Sequence, residues 1–176
     1  PRDNSTRLLH HPHPQRTDAG VRTGGYRAGK ETGDDMGGLG NIVFYADDPR
    51  ALARFWAAVF GYEPAEWDAP LESQLLDAGL TPEDLEKRAL VEDPAGVGPR
   101  LFFHHADRPK QSRNRMHLDI SATPGRRPSP TELHAEKDRL VALGAEVVRL
   151  VDQQWGPWPE YYFQMRDPEG NEFCLQ

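Results

Sequence analysis

The sequence predicts an α+β fold built from two copies of one βαβββ module. Two observations carry this. An Asp-Pro-x-Gly turn occurs twice, as Asp93-Pro94-Ala95-Gly96 and Asp167-Pro168-Glu169-Gly170, each time between short aliphatic and aromatic runs. Proline presets φ at the second turn position, glycine accepts a positive φ, and such flanks suit paired strands. Each turn is also preceded by a strand-like run and a proline-initiated helix that stops at a glycine, Gly61 in one copy and Gly144 in the other.

In chain order, residues 40–46 form a short β-branched and aromatic strand. Asp48-Pro49 then starts a helix in which Leu52, Phe55, Trp56, Val59 and Phe60 make one apolar stripe. Residues 62–67 read as a short strand, and residues 71–76 as helical. Thr81-Pro82 carries a further cap signature ahead of the first hairpin, residues 89–92 and 101–105. A polar crossover over 107–114 leads to a strand at 115–121. There Met116, Leu118 and Ile120 alternate with His117 and Asp119, the apolar set facing the helix layer. Ser129-Pro130-Thr131-Glu132 is a capping box, and the helix after it is expected to bury Leu133, Leu140 and Val141. A strand at 146–151, a tryptophan-bearing loop at 152–159 and the closing hairpin complete the second copy.

Module one is thus expected at 39–106 and module two at 114–176, within a folded unit starting near Met36. Residues 1–35 lack apolar periodicity and are read as an unstructured leader. Without a continuous apolar core they are not read as a signal peptide, and the prolines in His10-His11-Pro12-His13-Pro14 give those histidines no fixed scaffold. The net charge is −7, while the leader is nearly neutral. The acidic folded part argues against nucleic acid and anionic membrane as partners. No apolar run approaches the about 20 residues that span a bilayer. The single cysteine, Cys174, excludes an internal disulfide and points to a reducing, cytoplasmic setting.

His117 and Asp119, two apart on one strand face, are candidates for an acid–base pair, the carboxylate orienting or charging the imidazole. Their structural alternative is a hydrogen-bonded pair between the modules. Of the tandem His104-His105 only one can face a cleft. Trp155, Trp158, Tyr161 and Tyr162 cluster near the last hairpin, either as an aromatic wall for a flat ligand or as a core or dimer contact. Arg126-Arg127 between prolines reads as a solvated loop. No phosphate loop, nucleophile elbow or dinucleotide fingerprint is present.

Residues 41–49, Phe55-Trp56 to Phe60-Gly61, Asn114-Arg115-Met116-His117-Leu118-Asp119 and residues 167–174 resemble the glyoxalase-like domains of the vicinal oxygen chelate superfamily. The resemblance covers about residues 39–176. It implies paired modules whose mixed sheets curl around one cleft, and metal-dependent members that hold a divalent ion with ligands from both modules. Carried over by position, the first ligand falls on Asn41, the second on His117 and the last-strand carboxylate on Cys174. The remaining position falls at Phe102, with His104 two residues further on the same face. One of four ligands is present, so no metal cofactor is expected, with a His117/His104/Cys174 zinc set as the alternative. The resemblance further implies a small-molecule ligand and a homodimer. The function expected is a small-molecule-binding protein, a lyase or isomerase with His117 and Asp119 catalytic, or else a drug- or metabolite-sequestering binder. Asn41, Tyr45, His104, His117, Trp155, Trp158, Tyr162 and Cys174 are expected to line the site.

Overall fold

The structure, a computed structural model, describes residues 39–65 and 67–176. The expected leader lies outside them.

Strand β1 (Asn41–Ala46) runs into helix α1 (Pro49–Phe60), capped by Asp48, whose side chain accepts from the Ala51 amide, and closed by Gly61 at φ 69°. The two-residue β2 (Pro64–Ala65), helices α2 (Ala69–Asp77) and α3 (Pro82–Glu86), and strands β3 (Arg88–Val91) and β4 (Arg100–His105) complete the first copy. The second contains β5 (Asp119–Ile120), α4 (Pro130–Ala142), β6 (Glu146–Trp155), β7 (Trp158–Arg166) and β8 (Glu172–Leu175). Each copy forms one four-stranded mixed sheet, ordered β1-β4-β3-β2 and β5-β8-β7-β6. In both, the first strand lies parallel to the last, as β1 to β4 and β5 to β8, and the other pairings are antiparallel. The duplicated βαβββ architecture is what the turns and helix signals predicted.

The stripe on α1 is buried as its spacing requires: Leu52, Phe55, Trp56 and Val59 are in the core, and Phe60 packs against it. Trp56 and Phe55 also meet Phe173 of β8, ring centroids 5.5 and 6.4 Å away, so the first helix packs on the second sheet as well as its own. A buried hydrogen bond reinforces this contact. Trp56 Nε1 donates to Asp167 Oδ2 at 3.1 Å, and Asp167 is 3% exposed. The same carboxylate accepts from the amides of Glu169 and Asn171 and from the Asn171 side chain. Burial raises its pKa, and these hydrogen bonds oppose the rise. Two further bonds secure the ends of α1: Glu169 accepts from the Asp48 amide at 2.9 Å, and Arg139 of α4 donates to the Ala58 carbonyl at 3.0 Å.

Four expectations are corrected. The strand at 115–121 shrinks to Asp119–Ile120, paired with Cys174 and Leu175 of β8; in that register residues 115, 116 and 121 fall opposite 170, 171 and 176, beyond the ends of β8. Met116, placed ahead of that strand, is 72% exposed instead of facing the helix layer. The expected loop at 152–159 is instead the extension of a long hairpin. It turns in two residues, with Gly156 at φ 59° in the first turn position, which demands glycine, and with Trp155 stacked on Trp158 across it at 5.4 Å. In α4, Leu133 and Leu140 are buried but Val141 is exposed, since it lies one residue beyond the seven-residue step joining the two leucines.

Replacing Trp56 by Phe keeps an aromatic ring in the core but removes the indole donor from the buried Asp167. The expected cost is about 1–3 kcal/mol, measurable as a lower urea midpoint at an unchanged m-value. An unaltered midpoint would show that the bond contributes nothing.

Candidate functional site

Parallel pairing of β5 with β8 sets Asp119 opposite Cys174. His117 lies two residues before Asp119, so its side chain shares that face. The three donor groups consequently converge, with one ring nitrogen of His117, an Asp119 carboxylate oxygen and Cys174 Sγ all within 4.8 Å of one another. His117 Nε2 is 3.2 Å from Asp119 Oδ1, and both side chains are partly open to solvent. Burial, and then the neighbouring Asp119 charge, push the Cys174 thiol up to about 11, against an opposing pull from Arg113 and Arg149. The thiol is therefore protonated at neutral pH.

A cavity of about 320 Å³ opens between β1 and the segment leading into β5. Val43, Phe44 and Tyr45 line one side, Met116 and His117 the other, with Trp56 and Phe173 among its walls and Arg108, Lys110 and Glu172 supplying charge. A second cavity, about 170 Å³, holds Cys174, Arg113 and Gln164 and shares His117, Glu172 and Phe173 with the first. His117 thus borders both spaces. Glu172 fixes the approach to it, accepting from Lys110 Nζ at 3.1 Å and from the Asn114 amide at 3.0 Å. Burial works against its ionisation, yet the Asn114 amide and Lys110 outweigh that, and its carboxyl lies below the ordinary value.

The structure divides the residues expected to line one site. Tyr45 and His117 meet in the first cavity, and His117 and Cys174 in the second. Tyr162 lines a separate cavity of about 660 Å³ with Tyr161, Arg126 and Arg127. Arg126 is paired with Glu132, while Arg127 donates to the Pro159 carbonyl at 3.0 Å. Trp155 and Trp158 stand exposed at the hairpin tip and line none of these three cavities. Asn41 accepts from Arg100 Nε at 2.5 Å. His104 lies against Phe102 and Tyr45, ring centroids 4.8 and 5.7 Å away, and is not part of the His117 cluster. Arg108, Lys110, Asn114 and Glu172 were missed as lining residues, three of them within or ending the polar crossover, where no periodicity marks a cavity wall.

The two sheets allow a like-for-like comparison. Leu101 pairs with Val91, two residues before Asp93, just as Phe173 pairs with Met165, two residues before Asp167. Phe102 therefore corresponds to Cys174. Its neighbour on β1, Val43, corresponds to Asp119, and Asn41 corresponds to His117. One module presents a polar set where the other presents Asn41, Val43 and Phe102.

A family model for the glyoxalase-like domain matches residues 41–176. The chain belongs to the glyoxalase-like domain family. No protein of curated function matches it. Solved structures similar to it share the fold at low identity. One is a protein of Agrobacterium tumefaciens solved by NMR, at 15% identity and TM-score 0.51, covering 80% of this chain and 96% of its own. Another is a glyoxalase/bleomycin resistance protein/dioxygenase family enzyme of Burkholderia phytofirmans PsJN, at 15% and 0.49, covering 78% and 95%. A third is a lactoylglutathione lyase of Agrobacterium tumefaciens, at 20% and 0.45, covering 78% and 91%.

A divalent ion shared between the modules does not fit this glyoxalase-like chain. Asn41 is engaged by Arg100, Phe102 offers no donor, and His104 is turned to its aromatic neighbours.

The thiol of Cys174 gives a direct readout of this environment. Its alkylation by iodoacetamide should be slow near pH 8 and rise about tenfold per pH unit until it flattens near 11. Asp119→Asn should speed the reaction near pH 8 by removing a charge that opposes the thiolate. A plateau near the ordinary value of 9.0 in the wild type would contradict the assigned surroundings.

Proposed function

We propose that this protein binds a small organic molecule in the cavity between β1 and His117 and acts on it by proton transfer, as a glyoxalase-like lyase or isomerase. The observation that carries this reading is the position of His117, which borders the apolar cavity while Asp119 holds its Nε2 at 3.2 Å. With Asp119 accepting from the Nε2 proton, Nδ1 becomes the basic nitrogen of the ring. A substrate whose acidic carbon or hydroxyl lies against Nδ1 would pass its proton there and receive it back at another atom. Val43, Tyr45, Met116 and Phe173 would bury its apolar part, and Arg108 and Lys110 would favour an anionic or carbonyl-bearing head.

The second reading is a binder that sequesters a drug or metabolite without altering it. It is favoured by the apolar and aromatic share of the cavity wall, which needs no chemistry to hold a ligand.

Thermal-shift screening of aldehyde–thiol adducts, aromatic metabolites and glycopeptide drugs, followed by NMR of any hit, separates the two. For the enzyme, His117→Ala should lower turnover by about 10²–10⁴-fold while the ligand still raises the melting temperature, and Tyr45→Ala should weaken binding. Hits that bind to wild type and are recovered unchanged would establish the sequestering protein. If no class of compound shifts the melting temperature, the cavity is not a ligand site.

A further inference from the structure

We infer that the ligand of the proposed site is an amphipathic monocarboxylate, its carboxylate in the smaller cavity against Arg113 and Gln164 and its apolar part in the larger one. This names the substrate class and rests on the reading of the larger cavity as a ligand site. The two cavities share His117, Glu172 and Phe173, so one molecule can occupy both and pass its reacting atom along His117. His117 and Asp119 keep the roles proposed above, and neither is needed to hold the carboxylate.

The donors come from the sheet register. Asp119 of β5 pairs with Cys174 of β8, Cys174 with Gln164 of β7, and Gln164 with Arg149 of β6. Register partners on neighbouring strands point to one face, so these four side chains form a row across it. Within the row Arg149 Nε donates to Gln164 Oε1 at 2.8 Å. That bond sets the orientation of the amide and leaves the Gln164 NH₂ as the group with protons to donate. Cys174 beside it is a protonated thiol, a weak donor and not a competing anion. Gln164 and Cys174 line the smaller cavity together with Arg113 from the polar crossover.

The charges around this cavity do not cancel. Glu172 is matched by Lys110 at 3.0 Å, and Arg166 by Glu146 at 3.2 Å. Arg113 and Arg149 belong to no ion pair among the described residues. Both stand near enough to the Cys174 thiol to pull against its burial. Asp119, set against His117 at 3.2 Å, offsets one of the two guanidiniums. A monoanion therefore completes the charge, and a phosphate dianion exceeds it. In a chain of net charge −7 this positive excess is local, and a guanidinium presents the planar pair of donors that a carboxylate accepts. Lys110 is already held by Glu172 and by the Ser112 carbonyl at 2.7 Å, so Arg113 is the cation left for the carboxylate here. Size agrees, since about 170 Å³ admits a carboxylate on a short stem when a water takes about 30 Å³. The apolar remainder falls to the cavity of about 320 Å³, against Val43, Tyr45 and Met116.

Cys174 lines the smaller cavity and is the chain's only cysteine, so its alkylation reports occupancy there without any assay of turnover. The full-length chain is treated with iodoacetamide at about pH 9, where the thiolate fraction is measurable, in rising concentrations of three probes. Phenylpropanoate carries both parts of the expected ligand, its amide lacks the charge, and acetate lacks the apolar part. Phenylpropanoate should slow alkylation with an apparent Kd at least about tenfold below that of either comparator. In Arg113→Gln with wild-type circular dichroism, acid and amide should protect equally. Protection is scored against the same variant without probe, because Arg113 itself acts on the thiol. Equal protection by acid and amide in the wild type overturns the inference and leaves the larger cavity standing as a ligand site. So does a probe that raises the melting temperature without protecting Cys174. An acid preference that survives Arg113→Gln overturns the placement of the carboxylate. If phenylpropanoate neither protects nor shifts the melting temperature, the inference fails, and the ligand-site reading fails with it only if the broader thermal-shift screen is also empty.

Discussion

The buried carboxylate of Asp167 is the constraint on which the arrangement of this protein depends. A carboxylate that is 3% exposed must have donors. The turn supplies the amides of Glu169 and Asn171 and the Asn171 side chain, and the last donor, the Trp56 indole, comes from the helix of the other module. Asp93 occupies the same place in the first turn, with amide donors from Ala95, Val97 and Gly98, yet it is not buried and no indole reaches it. The pKa directions record the difference. The Gly98 and Ala95 amides lower Asp93, whereas burial raises Asp167. The two turns share a local geometry, but only the second joins the modules.

That junction places the site. With Trp56 held on Asp167 and Phe173 packed on Trp56, strand β8 is fixed relative to α1 and thus to β1. The cavity between β1 and the approach to β5 is the space left at this seam, and Trp56 and Phe173 are among its walls. The parallel register of β5 and β8 then delivers His117, Asp119 and Cys174 to one face. The two modules carry different side chains at corresponding positions of their sheets. One set is His117, Asp119 and Cys174, and the other Asn41, Val43 and Phe102. An amphipathic ligand at the seam would meet both kinds of surface.

What was legible in the sequence is what local rules control. The apolar stripe of α1, its Asp48-Pro49 start and its Gly61 stop are encoded within a dozen residues, and so are the Asp-Pro-x-Gly turns. The pairing of His117 with Asp119 followed from the alternation of a strand, though the strand itself is only two residues long. What stayed hidden depends on tertiary pairing. Nothing local shows that residues 152–155 continue a strand, because the support comes from cross-strand partners such as Gln153 with Glu160 and Trp155 with Trp158. Nothing local shows that Arg100 engages Asn41 across parallel strands, or that Lys110 and Asn114 close on Glu172. The tryptophans looked like a ligand wall on composition alone, and the length of the hairpin carries them to its tip.

The central claim is that the two modules form one cooperative unit locked at Asp167, with the site at the seam. Native-state amide hydrogen exchange tests it most directly. If the claim holds, the slowest amides of α1, β4, β7 and β8 share one opening free energy, and in Trp56→Phe they all fall together. If instead the second module's amides open at a lower free energy than the first's, and Trp56→Phe leaves them unchanged, the modules are independent and the seam does not hold the site.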